Sequence, residues 1–425
     1  MTNADRSTLL REPNFRWMMG GSLISAMGDQ FTMVALPWLV LTMTGDPLTL
    51  GLVIALMSIP RAVFMLLGGA LVDRYSPKSV LMLTKYANAF FLALLAALVL
   101  SGQQSLLTVS AIALGLGLAS AFSIPSGTSL LPHVVAPEDV PRANGMLMGV
   151  RQVTMLSGPL LAALVFAVFG DGKGAAEGAS NGLAIAFGID CFTLLLSAWT
   201  LSRVQARYAP PAAAAEPVLR AIGAGLSMVW RDITLRTCML YWAICAFVVG
   251  GLTQVGLPVL ADTRLQGASA LGLMLAVSGA GSLLGMTLTG MLGKIRVRTF
   301  GLTILLADGI SGLLLLPMGL VNATWQAAIL LILLGVLGGC MQVAVFSWIQ
   351  QRVPRAMLGR AMSIFMFIFM GLAPLSAALT GFLLQYLSLA QLFAAAGLFL
   401  VGYSLLAGLF THIPRISDAA AADQA

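Results

Sequence analysis

The sequence predicts an all-α membrane protein: twelve transmembrane helices in two pseudo-symmetric six-helix bundles. Three observations carry this expectation. The first is composition. Of 425 residues, 59% are hydrophobic and 9% charged, with a mean hydropathy of +0.95. A soluble domain carries about 25% charge, and one with this composition could not cover its apolar surface. The second is that apolar residues fall into twelve runs, each long enough to cross a bilayer as a helix (~20 residues at ~1.5 Å each). The third is an internal repeat. At an offset of 221, Leu36-Pro37 falls on Leu257-Pro258, Leu50-Gly51-Leu52 on Leu271-Gly272-Leu273, and Gly69 on Gly290. At an offset of 215, Pro159-Leu160-x-Ala162-Ala163-Leu164 falls on Pro374-Leu375-x-Ala377-Ala378-Leu379. Proline and glycine recurring at fixed spacing point to a duplicated unit.

The elements follow in order. Helix 1 is expected over about 15–41, with Asp29 near its centre, and Gly45-Asp46-Pro47 is a turn. Helix 2 covers about 48–72 and carries Arg61. A polar break, Gly69-Ala70-Leu71-Val72-Asp73-Arg74-Tyr75-Ser76-Pro77-Lys78, leads into helix 3. Ser76 suits its N-cap and Pro77 its first turn, where a missing N–H costs nothing. Helix 3 covers about 79–100, helix 4 about 106–133, helix 5 about 143–169 with Arg151 inside, and helix 6 about 183–201 with Asp190. Residues 203–217 form an Ala/Pro-rich linker. Residues 218–232 are too short and too polar at their ends to span. Their Leu219, Ile222, Leu226 and Val229 recur at helical spacing, so this segment is expected to lie along the membrane surface. Helices 7 to 12 centre near Val249, Ala280, Ile310, Leu337, Phe369 and Leu398, with breaks at 262–267, 294–298, 321–324, 352–360 and 386–390. The chain thus divides into an N-terminal half (1–202), a linker with an amphipathic helix (203–233) and a C-terminal half (234–425).

Charge sets the orientation. With Arg61 and Arg151 inside helices, every other Lys and Arg except Lys173 and Arg264 falls on the side of the N-terminus, Lys85 included. By the positive-inside rule both termini are cytoplasmic. The net charge of +7 therefore reports membrane orientation and not nucleic-acid binding. Arg6, Arg11 and Arg16 precede an apolar run too long for a signal peptide, so no cleavage is expected. The four cysteines lie in apolar runs without Cys-x-x-Cys spacing and read as packing residues, with no metal site and no cofactor.

The pattern Gly69-x-x-x-Asp73-Arg74-x-x-x-Lys78 resembles the signature loop between helices 2 and 3 of the major facilitator superfamily, transporters of two six-helix halves. The resemblance implies the major facilitator fold, a substrate site near the midplane, and a conformational latch at Gly69, Asp73, Arg74 and Lys78. Gly145, Thr154, Gly158-Pro159, Ala162 and Ala163 on helix 5 resemble the fifth-helix motif of the family's antiporters, which implies export. Residues 28–41 (Gly28-Asp29-Gln30-Phe31 onwards) and Gly223-x-Gly225-Leu226-x-x-Val229-Trp230-Arg231-Asp232 resemble the bacterial branch of macrolide and siderophore exporters. The family's fourth-helix arginine motif is missing, since Leu106–His133 contains no Arg; Arg61 or Arg151 is left to stand in for it.

Five ionisable residues sit inside helices: Asp29, Arg61, Arg151, Asp190 and Asp308. Each costs ~2.5–3.5 kcal/mol at the membrane centre on insertion scales, so each must face a cavity or a partner. Asp29, Arg61 and Arg151 fall at middle depths of the first half. They are the candidates for proton coupling, Asp29 as the acid and an arginine modulating it; a static ion pair joining helices 1, 2 and 5 is the competing reading. Asp190 and Asp308 lie on helices that are peripheral supports in the family and read as structural. Gln30, Gln254, Gln342 and Gln350 are candidates for a polar substrate cavity.

Two motifs are discounted. Gly178-Ala179-Ser180-Asn181-Gly182 has the nucleophile-elbow spacing but no preceding strand or suitable histidine, and Gly281-x-x-x-Gly285 reads as helix packing. No Walker sequence is present, so ATP is not the direct energy source. The resulting expectation is a monomeric, proton-coupled exporter of a small amphipathic organic substrate, embedded in the lipid of a bacterial inner membrane and working by rocker-switch alternating access. A metabolite importer or lipid flippase of the same fold is the alternative, and a non-transporting receptor or embedded enzyme ranks lower.

Overall fold

The computed structural model describes residues 9–74, 76–171, 181–205, 218–265, 267–292, 297–353 and 357–416. Among them are twelve helices long and apolar enough to cross a membrane, and no strand. We number these α1 (Pro13–Thr44), α2 (Pro47–Arg74), α3 (Pro77–Leu100), α4 (Leu106–His133), α5 (Val140–Phe169), α6 (Asn181–Arg203), α7 (Ile233–Leu265), α8 (Ala268–Leu292), α9 (Phe300–Leu320), α10 (Thr324–Arg352), α11 (Ile364–Leu383) and α12 (Leu389–Phe410). A linker helix, Val218–Arg231, precedes α7.

Local chemistry explains most boundaries. Gly45 ends α1 in the left-handed region (φ 63°), which glycine adopts without a Cβ penalty. Asp46 then accepts hydrogen bonds from Leu48 N (3.1 Å), Thr49 N (3.0 Å) and Thr49 Oγ1 (2.6 Å), capping the start of α2. The Thr49 hydroxyl, with the two backbone N–H groups acting against burial, holds the Asp46 carboxyl below the usual carboxylate range. Ser105 and Ser388 cap α4 and α12 through reciprocal capping boxes. Two boundaries differ from expectation. Ser76 occupies the N-cap of α3, but its side chain makes no capping bond, and Pro77 alone marks the first turn. The break expected at 262–267 is shorter, because wider π-type turns at Leu252–Gly256 and Ala261–Leu265 carry α7 through Leu265.

The chain folds into two compact units. One comprises Met1–Gly45, Val53–Val218 and Gly267–Gly272; the other comprises Asp46–Leu52, Leu219–Gln266 and Leu273–Ala425. The packing repeats as the sequence does. In the first unit, Gly272 abuts Pro159 O and Ala163; in the second, its repeat partner Gly51 abuts Ala377 O and Ala378. Gly281 and Gly285 of α8 meet α10 at Ile332, Val336 and Cys340, so the pattern is indeed a packing motif. One end of the first unit is sealed by an apolar cluster of Leu9, Phe15, Met18, Leu130, Leu131 and Leu201. Large apolar side chains such as Leu107, Met291 and Phe410 stand fully outward, as a surface solvated by lipid allows.

Candidate functional site

The polar interior of the first unit is built where α1, α3 and α6 meet. On α1, Gly21, Ser25, Gly28 and Thr32 recur at intervals of three and four, forming one stripe of small and hydroxyl side chains. On α6, Asp190, Thr193, Ser197 and Thr200 form the complementary stripe. The stripes interlock. Ser197 Oγ donates to Gly21 O (2.6 Å), and the Thr32 hydroxyl donates to Asp190 Oδ2. Asp190 is 1% exposed, and its other oxygen, Oδ1, has no hydrogen-bond partner among the described residues. Gly28 is what admits it: a Cβ there would lie 2.6 Å from Asp190 Oδ1 and would overlap Thr193.

The third contributor is Lys85 of α3, whose Nζ donates to Ser197 Oγ (2.8 Å) and Ser25 Oγ (3.2 Å). The expectation that Lys85 belongs with the cytoplasmic cations is therefore corrected. It lies eight residues, or ~12 Å, into α3, and its ammonium points into the helix junction, where it feels the charges of Asp29 and Asp190.

Asp29 projects from a neighbouring face of α1, exposed, one turn from half-exposed Met33. The cations acting on it are Lys85, then Arg61 of α2, then Arg151 of α5. The three expected residues thus come within electrostatic reach of one another, together with Lys85, which the sequence reading left out. Arg61 is half-buried and Arg151 exposed. On α5, Gly158 packs directly on Gln30 of α1, and Ser157 Oγ contacts Met27 Sδ (3.7 Å); this close approach holds Arg151 near α1. Gly145, by contrast, faces open space.

The other expected residues are dispersed. Gln30 and Gln254 are half-buried, Gln342 and Gln350 exposed, and no hydrogen bond joins these four among the described residues. Gly69, Asp73 and Arg74 lie in the last turns of α2, with side chains outside the described residues. Lys78 caps the end of α6, its Nζ donating to Val204 O (2.7 Å) and Ser202 O (3.0 Å). Gly178 and Ser180 fall outside the described residues.

The second unit carries a related junction of α7, α9 and α12. Cys245 Sγ donates to Asp308 Oδ2 (3.8 Å) beside the Tyr241 hydroxyl, and the Tyr241 ring stacks on Tyr403 (5.1 Å). At the base of α7, Asp232 caps the helix through Thr234 N (2.9 Å) and Leu235 N (3.1 Å), and accepts two bonds from the Arg352 fork (2.8 and 3.0 Å). Burial opposes the charged form of Asp232, but Arg352 and the two N–H groups outweigh it and hold the carboxyl below its usual range. Arg352 also lies 5.5 Å from the Trp348 ring centroid.

Comparison with known proteins identifies the group to which this architecture belongs. The family model of the Major Facilitator Superfamily matches residues 18–378. Among characterised relatives, the chain is 29% identical over 259 residues to the multidrug efflux pump Tap of Mycolicibacterium fortuitum, covering 59% of this chain and 58% of that protein. It is 24% identical over 354 residues to the enterobactin exporter EntS of Escherichia coli O1:K1, covering 83% and 81%. The match to Tap thus spans less than two thirds of that pump's length. In fold, the chain superposes on a bacterial homologue of the iron transporter ferroportin with a TM-score of 0.67 at 17% identity, covering 94% of this chain and 98% of that one. A multi-pass membrane protein of this architecture, matched by the family model across most of its length, belongs to the major facilitator superfamily of transporters.

Proposed function

We propose that this chain is a secondary exporter of amphipathic organic compounds in a bacterial inner membrane, driven by the proton gradient through rocker-switch alternating access. One observation carries the coupling: Asp29, a carboxylate sixteen residues (~24 Å) into α1, solvent-accessible yet surrounded by protein, and set among the charges of Lys85, Arg61 and Arg151. An exposed carboxylate at that depth cannot rest against lipid without a large cost, so its face must meet water. An acid that meets water and sits beside several cations can exchange a proton and register the exchange as a change in local charge balance. Asp29 is the proton-linked acid in this account, and Arg61, Arg151 and Lys85 set its balance. The export direction is supported by the kinship to an efflux pump and a siderophore exporter and by the resemblance of the Gly158-Pro159 stretch of α5 to the fifth-helix motif of the family's antiporters. The Lys and Arg excess supports cytoplasmic termini. The working form is a monomer, with no cofactor required; Gln30, Gln254, Gln342 and Gln350 are its proposed substrate contacts, and Gly69, Asp73, Arg74 and Lys78 its latch.

The test is accumulation of a panel of fluorescent and radiolabelled amphipathic compounds, ethidium and erythromycin among them, in efflux-deficient bacteria expressing the chain. Lower accumulation that a protonophore abolishes is the expected result. Raised accumulation would reverse the direction to import. Unchanged accumulation across the panel would remove the assignment to amphipathic compounds and favour a dedicated metabolite or a lipid as substrate.

A further inference from the structure

The ends of α1 and α6 meet at one edge of the first unit, where Asn14 Oδ1 accepts a hydrogen bond from Gln205 N (3.0 Å). Beside this junction runs an open, outward-facing groove of about 380 Å³. Its lining changes character along the two helices: from the α1 N-terminus inward come Pro13, Arg16, Trp17, Gly20 and Ile24, and from the α6 C-terminal end inward come Thr200, Trp199 and Leu196. From Arg16 to Ile24 is eight residues, or ~12 Å of helix.

The two tryptophans meet edge to face, with centroids 5.4 Å apart, and the Arg203 guanidinium stands 5.3 Å from the Trp199 ring centroid. Arg16 and Arg203 are both exposed, and neither forms an ion pair among the described residues. Gly20 leaves the floor of the groove open, since a Cβ there would meet nothing within 4 Å. Cationic, then aromatic, then aliphatic is the order in which a phospholipid presents phosphate, glycerol ester and acyl chain to a membrane protein.

We propose that this groove binds one anionic phospholipid of the leaflet at the α1 N-terminus, with its phosphate on Arg16 and Arg203 and its chain along Gly20, Ile24 and Leu196. Two guanidinium forks, neither in an ion pair among the described residues, supply more positive charge than one zwitterionic headgroup neutralises, so an anionic headgroup is favoured. The aromatic pair fixes the depth at which the glycerol region sits. The site is independent of the transport direction and of Asp29.

The experiment uses the purified full chain with phosphatidylglycerol and phosphatidylcholine of identical acyl chains. Native mass spectrometry reads the retained lipid, and quenching of tryptophan fluorescence by the brominated lipids in vesicles reads contact at the groove. The wild type should retain one phosphatidylglycerol in preference to phosphatidylcholine. The Arg16→Gln/Arg203→Gln variant should lose that preference, by roughly fivefold for each arginine. Gly20→Leu, which fills the groove while keeping both charges, should lose the bound lipid and its share of the quenching. Gly402→Leu adds the same side chain at another uncrowded helical glycine and should keep both. Because Gly20→Leu replaces glycine with a better helix former at an uncrowded position, it is expected to fold. Equal retention of the two lipids by the wild type, or full retention by Gly20→Leu, would overturn the proposal. A wild-type dimer that Gly20→Leu converts to a monomer would overturn it too, by making the groove a contact between copies.

Discussion

Gly28 of α1 makes room for the buried carboxyl of Asp190, since a Cβ on residue 28 would lie 2.6 Å from Asp190 Oδ1. The absent side chain and the polar junction are one feature. Gly28→Ala is therefore expected to lower thermal stability by about 1–3 kcal/mol through overpacking. Gly20→Ala, eight residues earlier in open space, should be neutral or slightly stabilising. Melting temperatures of the two variants in detergent check the contrast.

Lys85 is expected to be coupled to Asp190. Lys85→Met removes the ammonium that bonds Ser25 Oγ and Ser197 Oγ beside Asp190 and should cost about 1–3 kcal/mol. Asp190→Asn should change stability by a different amount in the Lys85→Met background than in the wild type, a non-additivity that residues in separate networks would not show. A double-mutant cycle of unfolding midpoints measures it.

The Asp232–Arg352 pair predicts an acid-sensitive link between α7 and α10. The Asp232 carboxyl in the folded protein lies below its unfolded value of ~3.9. Its contribution is therefore fully present above about pH 4 and is lost as pH falls through the folded pKa. Asp232→Asn should lower stability at pH 7 by about 1–3 kcal/mol and flatten the loss of melting temperature below pH 4. A variant that melts like the wild type at both pH values would contradict this.

Much of the fold was legible in the sequence, because a bilayer demands long apolar runs and each break needs its own chemistry. Gly45-Asp46-Pro47 announced the α1–α2 turn, and the structure builds it from those residues. The duplicated Gly51 and Gly272 announced a repeat that now appears as two equivalent helix contacts. Asp29, Arg61 and Arg151 were visible as charges stranded at mid-depth. Lys85 was not, because a lysine ~12 Å from a helix end can equally well snorkel to the surface. What turns it inward is the pair of hydroxyls on Ser25 and Ser197, residues 60 and 112 positions away. The small-residue stripe Gly21, Ser25, Gly28 and Thr32 held the available signal. Asp190, read as structural, does accept a bond from Thr32, but its closeness to Lys85 and Gly28 is a product of three-helix packing that no local pattern encodes.

The central claim, that Asp29 links proton movement to transport, is tested most directly in proteoliposomes bearing an imposed pH gradient, with whichever compound the wild type expels from cells. Wild type should move that compound uphill, and Asp29→Asn should lose uphill movement while retaining downhill exchange. An Asp29→Asn protein that still drives the compound uphill on the proton gradient would contradict the account.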